Sequence, residues 1–323
     1  MTPIPFGRFL LVERLAVGGM AEVFAAVERG DPSARLFAVK RILPTLAEDR
    51  ELVRMFLDEA RLVVQLDHPG IVPVHELGKL GGGYYIAMDY VAGRDLRALA
   101  DRFRRRGERL PVEIATLVAS RAADALDHAH RGRGADGGEL RVVHRDVSPA
   151  NVLIGFDGTV RMIDFGIAQA ALRRTAGSPV LRGKFGYMSP EMVRGLPVDR
   201  RSDVFALGVV LHELLTGERL FTAPTELAVM EKVRTAEAAP PSQANAAVPP
   251  ELDRIVLHAL AREPEARFGW ASELRDALAP WSRQAGPDGG TAVLARLMAD
   301  TFPEGLRAEE ERRARARASL RSV

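Results

Sequence analysis

The chain has 323 residues, 47% hydrophobic and 27% charged, enough for a large buried core divided between two lobes with a tail. Lys and Arg number 45 against 43 Asp and Glu, a formal charge of +2 that gives no reason to expect nucleic acid or another polyanion as partner. With no cysteine, disulfides, cysteine nucleophiles and thiolate metal sites are excluded, and a cytoplasmic setting is expected. The first ten residues lack a basic signal-peptide region. The longest apolar run, around 204–215, is interrupted by His212 and Glu213 and is too short for a bilayer, so no membrane segment is expected.

In chain order, Arg8–Leu15, Glu22–Val27 and Phe37–Ile42 are β-rich runs separated by Gly18-Gly19 and by Gly30-Asp31-Pro32. Thr45-Leu46-Ala47-Glu48 matches a capping box and predicts an amphipathic helix to about Leu66, ended by His68-Pro69-Gly70. Ile71–Leu77 and Tyr84–Tyr90 are two further strands, joined through Gly81-Gly82-Gly83. Together these predict a five-stranded antiparallel sheet with one helix. Beyond Gly93, Leu96–Phe103 and Val112–His130 carry apolar residues at helical spacing. The insertion Arg131–Glu139 reads as a solvated hairpin, followed by short strands from Val142 to Ile163. The chain is helical again from Asp203, with breaks at Pro240-Pro241 and Pro249-Pro250. Gln284–Gly290 reads as a linker, and Thr291–Val323 as a helix running into an exposed Arg/Glu/Ala-rich end.

Four signals carry chemistry. Gly18-Gly19 lies between two strands, where a glycine pair alone is a turn. Strand alternation puts Ala38 and Lys40 on one face, and Glu59 faces inward from the capped helix, so that a carboxylate could hold an ammonium against phosphates. His144-Arg145-Asp146-Val147-Ser148-Pro149-Ala150-Asn151 offers a carboxylate and, five residues on, an amide oxygen. Asp164-Phe165-Gly166 follows a short strand. An Asp and an Asn converging on one cleft are hard oxygen ligands that suit Mg²⁺. His128 and His130 point to different helix faces, and nothing completes a metal site around them.

The order of these motifs resembles the Hanks-type, eukaryotic-like serine/threonine protein kinases of bacteria, over about Phe9 to Trp281. Ser189-Pro190-Glu191 resembles the end of that family's activation segment, and Asp203–Gly208 the start of its central helix. Arg267 sits where the family pairs an arginine with Glu191. The resemblance implies an α+β bilobal fold, a kinase domain at 9–281 and a linker with a helical tail at 282–323. It implies ATP and Mg²⁺ as cofactors and proteins as substrates. Lys40, positioned by Glu59, would hold the α- and β-phosphates; Asp146 would orient the substrate hydroxyl and accept its proton; Asn151 and Asp164 would bind the metal. The phosphate loop would be Ala16, Val17, Gly18, Gly19 and Met20. Val23, Ala38 and Leu153 would sandwich adenine, with Met88 as gatekeeper, Asp89 and Val91 offering backbone hydrogen bonds, and Asp95 reaching the ribose.

The sequence departs from the family in two places. Alanines at 16 and 21 replace outer glycines of the phosphate loop, from which weaker nucleotide binding is expected. Ser148 stands where a catalytic-loop lysine is usual and Lys184 where a threonine is usual, so Lys184 is expected to bring its ammonium to Asp146, the plain alternative being that it points to solvent. Arg145 would bind a phosphate on Thr175 or Ser178, flanked by Arg173, Arg174 and Arg182, with self-association allowing autophosphorylation. Two rivals stand beside this reading. The altered glycine loop motivates a pseudokinase scaffold or nucleotide-gated switch. A small-molecule phosphotransferase is opposed by the activation segment.

Overall fold

Four successive residues at the start of the second strand, Phe9 to Val12, are buried, which requires apolar cover on both faces of the sheet. The computed structural model describes residues 3–134, 137–165, 185–286 and 288–321, without the side chains of Glu59 and Arg321. Its first sheet is antiparallel: β1 (Ile4–Phe6), β2 (Phe9–Val17), β3 (Ala21–Glu28), β4 (Leu36–Ile42), β5 (Val74–Leu80) and β6 (Gly83–Asp89), in the order β1-β2-β3-β4-β6-β5. The five expected strands are present and Ile4–Phe6 adds a sixth at the edge, where Pro5 costs no ladder bond that a central strand would need.

Helix α1 (Arg50–Val63) packs on one face through Phe56 and Ala60. It does not begin at the Thr45 capping box. Pro44 opens a separate 3₁₀ turn over Pro44–Leu46, and the Asp49 carboxylate accepts from the amides of Glu51 and Leu52 at 3.0 and 3.1 Å. The strand expected from Ile71 also starts later. Pro73 has no N–H for the ladder, and Ile71 and Val72 turn instead to Met162, whose carbonyl accepts from the Val72 amide at 3.1 Å.

The second sheet is small: β7 (Gly93–Asp95), β8 (Val152–Gly155) and β9 (Val160–Met162). Gly93 is required there, since a Cβ would lie 2.0 Å from the Ile154 carbonyl oxygen. Helices α2 (Leu96–Arg105), α3 (Val112–His130), α4 (Pro190–Val193), α5 (Arg201–Thr216), α6 (Glu226–Thr235), α7 (Pro241–Ala244), α8 (Pro250–Ala259) and α9 (Ala271–Ser282) form the larger lobe. Every residue of α5 from Ser202 to Thr216 is buried, so this helix is the axis of the main core and α3, α8 and α9 wrap it. Val142 and Val143 form no strand; 140–148 is irregular and held by side chains.

Two tail helices follow, α10 (Thr291–Thr301) and α11 (Pro303–Arg321). The segment expected as a linker lies against α3, where Arg121 donates to the Gly289 carbonyl and the Thr291 hydroxyl, both at 2.7 Å. The expectation of an exposed Arg/Glu/Ala end is corrected. Ala316 is fully buried with Leu10, Val12, Ala25 and Val27 of β2 and β3, and Glu309 and Arg312 are buried with it. This helix supplies the second cover that the run Phe9–Val12 demanded. Arg102 ties Glu304, at its start, to α2. Among the described residues no helix is long and apolar enough to cross a membrane.

Candidate active site

Alternation along β4 sends Val39 into the sheet's outer core and turns Ala38 and Lys40 toward the cleft between the lobes. Lys40 is half-buried, and its Nζ donates to Asp164 Oδ1 at 2.6 Å. Asp164 follows β9 with φ of +55°, a left-handed conformation that a non-glycine residue adopts only when its surroundings hold it there. The side chain of Glu59 lies outside the described residues. So do Gly166, Arg173, Arg174, Thr175, Ser178, Arg182 and Lys184.

The loop from His144 to Asn151 has a similar strain at Arg145, φ +62°. Buried Asp203 on α5 holds it in place. One carboxylate oxygen accepts from the Arg145 amide at 2.8 Å; the other accepts from the His144 amide and from His130 Nε2, each at 2.8 Å. His144 Nε2 donates to the Ile163 carbonyl at 3.1 Å, while Nδ1 accepts from the Asp146 amide at 3.2 Å. Burial pushes the His144 pKa down against the pull of Asp203 and Asp146, which keeps the ring neutral with these two distinct roles. The same ring stacks on Phe165 at 4.5 Å, coupling the loop to the segment that carries Asp164.

Asn151 Nδ2 donates to both the backbone oxygen and Oδ2 of Asp146, at 2.8 and 2.7 Å. This fixes the aspartate and leaves Asn151 Oδ1 as the amide's remaining acceptor. The cleft above is a cavity of about 480 Å³. It gathers Val23, Ala38, Lys40, Met88, Asp89, Val91, Asp95, Leu153 and Asp164, all named from the sequence. Ala16, Val17, Gly18, Gly19 and Met20 form the tip of the β2–β3 hairpin, outside that lining; the Gly18 amide donates to the Ala21 carbonyl at 2.8 Å. Asp95 has a second task, since its Oδ1 caps α2 by accepting from the Ala98 amide at 2.7 Å.

At the hinge, the Asp89 amide donates to the Pro73 carbonyl at 3.0 Å. Its side chain turns to the back, accepting from Arg35 at 2.5 Å and contacting His75 Nε2 at 2.7 Å. Burial pushes the Asp89 carboxyl up, but the hydrogen bonds from His75 and Arg35 outweigh it and the pKa is lowered. The outer wall of the cavity was not foreseen. Arg312 of α11 lines it, donating to both oxygens of Glu13 at 2.9 Å and to the Tyr90 hydroxyl, which in turn donates to Glu309. The one hint in the sequence was the two-sided apolar run Phe9–Val12. Asp203 was legible only as the start of a helix.

Two further groups lie off the cleft. Arg267 donates to both oxygens of Glu191 at 2.9 and 2.8 Å. Arg145 borders a cavity of about 780 Å³ with Arg131, Arg141 and Arg200, and its Nε is buried without an acceptor among the described residues.

Residues 9–278 match the family model described as the protein kinase domain. Tyrosine-protein kinase MasK of Myxococcus xanthus is 40% identical over 302 residues, covering 93% of this chain and 47% of that one. Serine/threonine-protein kinase PknB of Mycolicibacterium smegmatis is 39% identical over 276 residues, covering 83% and 42%. The chain thus spans less than half the length of these curated relatives. Among solved structures, the PknI kinase domain of Mycobacterium tuberculosis superposes with a TM-score of 0.65 at 30% identity, covering 87% of this chain and 98% of that one.

Proposed function

The chain belongs to the protein kinase family, in its Hanks-type bacterial branch, and from that premise we propose that it transfers the γ-phosphoryl group of Mg·ATP to serine or threonine hydroxyls of proteins. One observation carries the reading: a lysine amine and the carboxylate it meets at 2.6 Å border the cleft, and a second carboxylate, braced by an asparagine, stands on the loop that His144 packs against Phe165, the neighbour of Asp164. Lys40 would hold the α- and β-phosphates, oriented by Glu59. Asp146, fixed by Asn151, would align the acceptor hydroxyl and take its proton. Ala38, Val23 and Leu153 would enclose adenine beneath gatekeeper Met88. The Asp89 carbonyl and the Val91 backbone would bond the base, because the Asp89 amide is already spent on Pro73.

The donor set suits magnesium. Asp164 and Asn151 offer hard oxygens, and no group of three His, Asp or Glu among the described residues is arranged to hold a metal unaided. A cation here would complete its shell with phosphate oxygens, and when bound it supplies neutralisation of the phosphate charge. Residues 9–281 would carry the activity, in a cytoplasmic setting, with 282–323 appended to it. Arg145, with its unused Nε, would take a phosphate placed on Thr175 or Ser178 by a second copy of the chain.

Tyrosine is the second acceptor to consider, since MasK is named a tyrosine kinase and Ser148 replaces the usual catalytic-loop lysine. The test is incorporation of γ-labelled phosphate into the protein itself and a generic basic protein, beside Asp146→Asn, followed by identification of the labelled residue type. Phosphoserine or phosphothreonine lost in the variant is expected. Phosphotyrosine alone would overturn the specificity. No label, with ATP still raising thermal stability, would replace catalysis by a nucleotide-gated role.

A further inference from the structure

A third cavity, of about 310 Å³, lies behind the hinge where three parts of the chain meet. Arg35 reaches it from the β3–β4 connection, Arg161 from β9, and Arg313 and Arg317 from successive turns of α11. Asp89 is the only acidic group in its lining. That carboxylate is already divided, with Arg35 at 2.5 Å, Arg161 at 3.5 Å and His75 at 2.7 Å. Arg161 Nε is buried and meets no acceptor among the described residues. On the same helix Arg312 pairs with Glu13 and Glu309, and Arg315 with Glu13 and Glu311. Among the described residues Arg313 and Arg317 have no such partner.

Four guanidiniums around one carboxylate, two of them sharing it, leave an excess of positive charge in an open pocket whose inner side is the buried Arg161 Nε. Like charges held together this way repel, and the repulsion is relieved by a counter-anion that several of them can grip at once. Guanidinium is the group best shaped for bidentate binding of tetrahedral oxyanions. We propose that this pocket is a binding site for a phosphate dianion, either free or carried on a side chain. It adjoins the ATP cleft, sharing Asp89 and Tyr90 with it across the hinge, and does not depend on the catalytic reading. A dianion there would join the upper sheet through Arg35, the lower sheet through Arg161 and the tail helix through Arg313 and Arg317. Its expected effect is to fasten α11 in place.

The experiment is calorimetric titration of the full chain, saturated with a non-hydrolysable ATP analogue to occupy the cleft, with inorganic phosphate at constant ionic strength. Hydrogen exchange of 303–321 is followed in parallel. Saturable binding is expected, with slower exchange in α11, and Arg313→Ala/Arg317→Ala should weaken it at least tenfold. Both arginines are exposed and unpaired, so the fold should tolerate the change. If the double variant nevertheless releases the tail, Asp89→Asn decides the matter: removing the competing carboxylate should tighten phosphate binding severalfold. O-phosphoserine serves as the second probe. Tighter binding than phosphate identifies a side-chain phosphoryl as the occupant, and equal binding identifies the free ion. Unchanged phosphate affinity in the double variant, no tightening in Asp89→Asn, or an equal response to chloride would overturn the proposal.

Discussion

Replacing Arg267 by methionine removes a guanidinium that is wholly buried and makes five hydrogen bonds: two to Glu191, and one each to the carbonyls of Ala261, Arg201 and Arg262. Glu191 would be left as a buried carboxylate with Ser202 as its remaining side-chain donor. Breaking such a pair from one side costs about 3–5 kcal/mol, because the survivor's charge is uncompensated. At roughly 2–4 °C per kcal/mol, the unfolding midpoint should fall by about 10 °C. The sign with pH is specific. Burial by itself raises the Glu191 pKa above the ordinary 4.5, but Arg267 outweighs it and the folded value is lowered. In the natural protein this pair therefore stabilises above pH 4.5, and the stabilisation is lost as pH falls through the lower folded value. In Arg267→Met burial is opposed only by the Ser202 hydroxyl and the backbone, so the folded pKa should rise and acidification should relieve the penalty at Glu191. Calorimetric midpoints at pH 7.5 and 5.0 should show the gap to the natural protein narrowing at the lower pH. Glu191→Gln/Arg267→Met should be more stable than the single variant at pH 7.5. A fall of less than about 3 °C, or a gap indifferent to pH, would refute the argument.

Asp203→Asn leaves one acceptor oxygen where three donors now converge, so the strained loop at Arg145 should shift. Because misplacement by about 1 Å can cost 10²-fold, kcat for phosphotransfer should drop by roughly that factor with the ATP KM little changed; a drop below threefold would count against the role given to Asp203. Arg312→Met removes two of the three guanidinium bonds to Glu13 and the guanidinium bond to Tyr90, and leaves buried Glu309 with the Tyr90 hydroxyl but no cation. Amide exchange across 303–321 should accelerate by at least an order of magnitude, and unaltered exchange would show that the apolar contacts alone hold the helix. His144, His128 and His212 all have pKa values lowered by burial. The unfolded chain takes up these protons first, so their contribution to stability is lost as pH falls below about 6.5. His212→Gln keeps a donor for the Ala239 carbonyl and should shrink the fall in midpoint between pH 7.5 and 5.5; an identical fall would exclude His212 as a contributor.

What the sequence disclosed was chemistry at fixed order. Lys40, Asp146, Asn151 and Asp164 are legible because their types and order resemble the family's motifs, and alternation alone puts Ala38 and Lys40 on one face. Helix α1 was legible in kind but not in its start, because Thr45 and Asp49 are both competent caps four residues apart and Pro44 diverts the first into a 3₁₀ turn. Asp203 was hidden since its partners lie 58 and more residues away. The tail was misjudged for a related reason. Its Arg, Ala and Glu suit a solvated helix equally well, and only Glu13 and Tyr90, far off in the chain, make the same residues a buried face.

That helix also bears on the tempo of turnover. A hinge works as a pivot only if its side chains are at liberty to follow, and here the Tyr90 phenol is enclosed by Glu309 and Arg312 while Arg312 grips the roof strand through Glu13. The other end of the strap is rooted in the large lobe through Phe302 and Met298. Parting the lobes would pull on both anchorages. Nucleotide exchange requires that parting, and in many enzymes such opening rather than chemistry limits the rate. On the proposed function, a strapped hinge would favour retention: ADP would leave slowly, ATP once admitted would stay, and whatever loosens α11 would quicken the cycle.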